Sequence, residues 1–166
     1  MEILGCRLDP IDSDEATRRI LALAREGNGA QVVTLGTEMV VHAQRDPRFR
    51  AIVNECALSL CDTVGVLAVA RHRGAPLRER VAGVELIERL CAGAAAQALP
   101  VYFLGGAAGV AAEAAASLAS RFPPLRVAGT RDGYFRDDEN AQVVSAIASS
   151  GARLLLAGLG SPRQEF

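Results

Sequence analysis

The sequence predicts an α/β protein: a Rossmann-like parallel sheet of about six strands with helices on both faces. Three observations carry that expectation. Short, continuous apolar runs of β character recur along the chain, as strands buried on both faces require. Segments of helical periodicity separate them, so consecutive strands are joined by crossovers long enough to run parallel. Small polar and glycine-rich residues directly follow the runs, where an open α/β sheet binds its ligands.

The strand candidates are 2–4 (EIL), 31–35 (QVVTL), 58–61 (LSLC), 100–104 (PVYFL), 125–128 (LRVA) and 153–158 (RLLLAG). The first helix has Asp12 and Glu15 as a capping box, Ile20, Leu23 and Ala24 on one face, and Gly27 as its stop. Two shorter helices follow at 38–45 and 47–56, with Pro47 suited to the first turn of the second. Further helices are expected at 64–73, 83–98, 107–121 and 138–149, and 71–80 (RHRGAPLRER) reads as a basic loop. No repeat or linker interrupts this order. Residues 1–166 are therefore read as one domain, long enough for one core and too short for two.

Composition narrows the partners. Half the residues are apolar and the net charge is -1, so no field attracts nucleic acid. With no Trp and 4% aromatic residues, stacking platforms for single strands are also not expected. The apolar runs fall short of a membrane span, and the opening MEILGCRLDPIDSD lacks the layout of a signal peptide. Cys6, Cys56, Cys61 and Cys91 have no CxxC spacing and sit among apolar residues, as reduced core thiols do. His42 and His72 are isolated, so no zinc site is expected.

Several stretches after the strands can carry chemistry. LGGAAG at 104–109 runs from a strand into an alanine-rich helix. Bare amides at 105–109 and the helix macrodipole favour an anion, but a tight turn needing glycine for sterics accounts for the same residues. The loop departs from the dinucleotide fingerprint: Leu104 stands where its first glycine belongs, and RVAGT carries no acid to hold a ribose. Asp62 follows LSLC and precedes an apolar helix, so it is either an N-cap or a partly desolvated general base. Of Arg71, Arg73, Arg78 and Arg80, the last lies beside Val81-Ala82-Gly83 and is best placed to grip a diphosphate. Asp12-Ser13-Asp14 matches a metal-holding D-x-D pattern but opens a helix, which capping explains. Gly158 and Gly160 free the backbone after the last strand, and Pro162 suits a helix start.

As an ordered set, TLGTEMVVHAQRDPRFRAIVNECALSLCDTVGV, RERVAGVELIERL, VYFLGGAAGVAAEAA, GTRDGYF and LLLAGLGSPRQEF resemble the WecG/TagA/CpsF family of bacterial glycosyltransferases, from about residue 31 to the end. The resemblance implies transfer of a sugar, typically N-acetylmannosamine, from a UDP-sugar to an undecaprenyl-diphosphate-linked N-acetylglucosamine, with inversion. The product would feed teichoic acid or exopolysaccharide synthesis. By the same resemblance Asp62 matches the catalytic base, Thr34 a threonine at the sugar pocket and Gln164 a glutamine beside the catalytic centre. Arg80 matches an arginine near the substrate phosphates, and Gly105, Gly106 and Tyr134 positions lining the nucleotide. Gly36, Leu104, Gly109, Gly158 and Gly160 complete the candidate substrate-binding set. No cofactor or metal is implied, since the UDP-sugar is a substrate.

Three departures accompany the match. The family's T-x-N at the first site reads Thr34-Leu35-Gly36 here, which removes the donors and acceptors of an asparagine. Cys61 replaces the proline before the aspartate. The family continues past PRQE with a basic and apolar tail, which would bring the domain to the inner face of the cell membrane as a cytoplasmic, peripheral protein; that tail is absent from these residues. Self-association is implied as well. The expected reaction is an inverting displacement. Two other readings stay open: an NAD(P)-binding Rossmann oxidoreductase, and a UDP-binding homologue without turnover.

Overall fold

A computed structural model describes residues 1–166. Two-residue strands β1 (Glu2–Ile3) and β2 (Cys6–Arg7) form an antiparallel hairpin. Helix α1 (Ser13–Glu26) begins as the sequence predicts: the Asp12 carboxylate accepts from the Glu15 amide, and the Gly27 N–H closes the far end on the Leu23 carbonyl. Strand β3 (Val32–Leu35), helices α2 (Thr37–Arg45) and α3 (Pro47–Glu55), and strand β4 (Leu58–Cys61) follow. Asp46 caps α3 by accepting from the Arg48 and Phe49 amides, with Pro47 in its first turn. The chain continues through α4 (Val64–His72), α5 (Gly83–Ala96), β5 (Val101–Gly105), α6 (Val110–Arg121) and β6 (Val127–Arg131). A 3-10 turn (Asp137–Glu139), α7 (Asn140–Ser149) and β7 (Leu154–Gly158) complete it.

Two boundaries differ most from expectation. Residues 107–109 stay outside α6, because Gly109 turns the chain into the helix from the left-handed region. The sixth run lies at Val127–Arg131 rather than 125–128: Leu125 drops into the core directly after Pro123-Pro124, and pairing with β5 starts beyond it.

Strand alternation sends side chains to two layers of helices. In β5, Val101 and Phe103 join a core shared with α1, α5 and α6, whereas Tyr102 and Leu104 pack with Val143 of α7. In β4, Leu58 and Leu60 enter that same core, and Cys61 enters a second one built with Val33 and Leu35 of β3 and with α2, α3 and α4. Helices therefore cover both faces, as predicted. No helix is long and apolar enough to cross a membrane.

The single six-stranded sheet is corrected. β3 pairs with β4, from Val32 opposite Leu58 to Leu35 opposite Cys61. β5 pairs with both β6 and β7, in the order β6-β5-β7. All these pairings are parallel, but they form a pair and a triplet, with the hairpin apart. The physical reason is a cleft of about 740 Å³ between β3 and β7, lined by Val32–Thr34 on one rim and Leu154–Ala157 on the other.

All four cysteines are free and buried. Burial raises the Cys6 thiol and pushes Cys56, Cys61 and Cys91 each up to about 11 from 9.0. In the unfolded chain these thiols ionise from about pH 9, while the native ones stay protonated, so stability falls as pH rises from about 9 toward 11. The chain has no lysine and two tyrosines, so few other groups titrate in that window. Urea midpoints measured between about pH 8 and about pH 10.5 should fall progressively; a flat profile contradicts buried, neutral thiols.

Candidate active site

The polar residues of interest collect where β3 and β4 end. Asp62 directly follows β4, its amide bonded to the Leu35 carbonyl at 3.2 Å. It is not the N-cap of α4. That position belongs to Thr63, whose hydroxyl accepts from the Val66 amide at 3.4 Å. The Thr63 hydroxyl also meets the Thr37 hydroxyl at 2.9 Å, tying the first turns of α2 and α4 together.

Asp62 instead turns toward another helix. Its Oδ1 accepts from the Gly83 amide at 3.3 Å, at the first residue of α5. The N-cap residue of α5 is Ala82, whose methyl has no acceptor, so Asp62 satisfies one of the helix's orphan donors from across the chain. A helix N-terminus favours negative charge at that place. The second carboxylate oxygen makes no hydrogen bond, and the residue is half-buried. Thr34 completes the contact: a Cβ on Gly83 would lie 3.4 Å from its Oγ1. Thr34, Gly83 and Gln164 are among the residues that line the cleft between β3 and β7. Thr34 and Gln164 thus line one cleft, and Asp62 adjoins it through Gly83.

The remaining candidates divide between this crevice and the ends of β5 and β7. Gly36 is the N-cap residue of α2, with no side chain to cap it, at φ −92°. Its backbone does not need glycine, and a Cβ there would meet only the movable carboxylate of Glu38. Arg80 is exposed and pairs loosely with Glu85 at 3.6 Å. Across the cleft, Gln164 accepts from the Gly160 amide and donates to Glu165, both at 3.1 Å. Leu104 is a buried strand residue. Gly109 lines a separate small hollow with Thr130, Arg131 and Asp132, and Tyr134 stands 82% exposed. No contact joins Gly109 or Tyr134 to the Asp62 group.

The glycine loop has a structural explanation at its first positions. Gly105 sits at φ 138°, and a Cβ there would strike the Gly158 carbonyl. The Gly106 N–H is bonded to that same carbonyl, and the Gly106 carbonyl accepts from Gly133. The amides of 107–109 and the first turn of α6 are what the loop still offers an anion.

Gly83, Thr63 and Arg163 are functional-site neighbours that sequence reasoning missed. Arg163 donates to the Gly133 and Phe135 carbonyls at 2.8 and 2.7 Å and stacks over the Phe135 ring, holding the 131–135 loop against the end of β7. Its place in PRQE was the available signal. No three His, Cys, Asp or Glu side chains gather to hold a metal. Asp12 caps α1 and Asp14 pairs with Arg89, so the D-x-D residues are engaged structurally.

These features define an α/β protein with a carboxylate-centred crevice at the carboxyl ends of its parallel strands. The chain belongs to the WecG/TagA/CpsF family of glycosyl transferases, whose model matches residues 1–166. It is 34% identical over 141 residues to the N-acetylglucosaminyldiphosphoundecaprenol N-acetyl-beta-D-mannosaminyltransferase of Bacillus spizizenii, a match covering 85% of this chain and 54% of that enzyme. The chain thus spans about half the length of the curated relative it matches.

The capping assignments are testable by urea unfolding. Thr63→Ala and Asp62→Ala should each cost about 1 kcal/mol, one at α4 and one at α5. Asp62→Asn keeps an acceptor for the Gly83 amide and should stay within about 0.5 kcal/mol of the parent. A neutral Asp62→Ala would contradict the bond to α5.

Proposed function

We propose that the chain carries the donor and catalytic side of an inverting glycosyl transfer. A UDP-sugar, with N-acetylmannosamine as the sugar, gives it up to an N-acetylglucosamine linked to undecaprenyl diphosphate. The observation that supports this best is the state of Asp62: one oxygen is fixed by the amide of Gly83, a residue that lines the cleft with Thr34 and Gln164, and the other makes no hydrogen bond. Oriented in this way, a carboxylate acts as a general base. It takes the proton from the acceptor hydroxyl as that oxygen bonds the anomeric carbon. The bond from that carbon to the diphosphate breaks, and UDP leaves with the electron pair.

The leaving diphosphate needs positive partners. Arg80 lies 18 residues along the chain from Asp62 and is free of any tight ion pair, and the amides of 107–109 open α6. The reading needs no metal or cofactor. It places the protein peripherally at the inner face of the cell membrane, where a lipid-linked acceptor is found, and allows self-association. A second reading, a UDP-binding homologue without turnover, is favoured by Gly36, which leaves the N-cap of α2 without a side chain.

Thermal shift and turnover separate the alternatives. UDP at about 100 times its Kd should stabilise by about 2.7 kcal/mol and raise Tm by roughly 5–10 °C, while NADH leaves Tm unchanged. Transfer to a lipid-diphosphate-linked N-acetylglucosamine should accompany the UDP shift. A shift with NADH alone would contradict the proposal, and a UDP shift without transfer would favour the second reading.

A further inference from the structure

We infer that the cleft between β3 and β7 is a receptor for one extended β-strand, which joins the strand pair and the triplet into a single sheet. Its occupant is a strand of polypeptide from outside residues 1–166, apolar at its central positions.

The two rims are free sheet edges that run the same way. Helix α5 starts beside Asp62 at the carboxyl end of β4 and delivers the chain to the start of β5, so β4 and β5 both run opposite to it. β3 is parallel to β4, and β7 to β5. One strand laid between β3 and β7 therefore pairs in the same sense with both.

The free groups can be named. The Gln31 and Leu35 carbonyls accept from Ala57 and Asp62, which turns the odd-numbered residues of β3 toward β4. Alternation leaves the N–H and C=O of Val32 and Thr34 facing the cleft. On β7 the Gly158 carbonyl accepts from Gly106, so the even-numbered residues face β5, and Leu155 and Ala157 face the cleft. The rims are four and five residues long, the length of an ordinary strand.

The floor of the cleft has the chemistry of a sheet's underside. Ile20, Leu23, Leu86 and Leu90, from α1 and α5, line it with apolar surface of the kind a strand covers elsewhere in this fold. That surface gives a charged nucleotide few convergent polar groups. At one end Glu165, 6% exposed, holds its Oε2 buried with no hydrogen-bond partner, an acceptor suited to a strand N–H. Enough chain for such a strand exists in a relative: nearly half of the Bacillus enzyme lies outside the match. Addition of a strand to paired edges is an established recognition mode.

The test leaves turnover aside, so it stands whether or not the transferase reading does. Synthetic peptides of about ten residues, covering the part of the Bacillus enzyme outside the match, are added to the 166-residue chain. Amide exchange is followed by NMR at Val32, Thr34, Leu155 and Ala157. One peptide should slow all four amides by roughly tenfold or more. Leu155→Lys, which puts a charge at a half-exposed rim position, should abolish that protection while β4 and β5 amides exchange as before. The proposal is overturned if no peptide protects the four amides. It is overturned equally if they are already slow in the free chain, either independently of concentration, with β3 and β7 paired directly, or increasingly with concentration, with a second copy in the cleft.

Discussion

The bond from the Gly83 amide to the Asp62 carboxylate joins the end of β4 to the start of α5, and the proposed chemistry depends on it. It is one contact with two effects. Helix α5 has no capping side chain of its own, and the carboxylate satisfies its first turn. The helix in return fixes one oxygen of the carboxylate and leaves the other without a hydrogen bond. Thr63 makes this arrangement possible by capping α4 itself, so the aspartate beside it is not held there. Thr34 and Thr37 pack around the same group from β3 and α2, so four elements meet within a few residues of one acid.

Much of the fold was legible because periodicity reports burial. The runs at 31–35, 58–61 and 100–104 are strands within a residue of expectation, and Pro47, Asp12 and Gly27 act at helix ends for the reasons their types suggest. Of the opening hairpin only the first strand was read, at 2–4; β2 and the antiparallel pairing were hidden because two-residue strands carry no period. The division of the sheet was hidden for another reason. An apolar run shows that a strand is buried, not which strand lies beside it, and the free edges of β3 and β7 leave no mark in the sequence.

The surroundings of the candidate residues were legible in part. Thr34 and Gln164, which the family pattern marked, line one cleft, and Asp62, marked too, reaches it only through Gly83. Which residue caps α4 could not be read, since Asp62 and Thr63 are both capping types; in the structure Thr63 caps α4 and Asp62 meets the first amide of α5. Gly83 was invisible as a partner because it lies 21 residues away along the chain. The glycine loop shows the opposite case. Gly105 and Gly106 suit a phosphate, but they are already required by the close approach of β5 to Gly158 and by the loop at Gly133. Glycine there serves packing first, and any anion must use the amides that packing leaves.

The crevice and the cleft are continuous, and that continuity links fold to chemistry. Thr34 and Gly83 line the cleft and Gly83 holds Asp62, so a strand ordering the two half-sheets would order the surroundings of Asp62. The central claim, that Asp62 is positioned by α5 to accept a proton, is tested most directly by Asp62→Asn assayed for sugar transfer and for UDP affinity on the same preparation. Transfer lost by several orders of magnitude with UDP affinity unchanged is the expected result, because the amide keeps the bond to Gly83 but accepts no proton. Transfer retained, or UDP affinity lost in step with it, would contradict the claim.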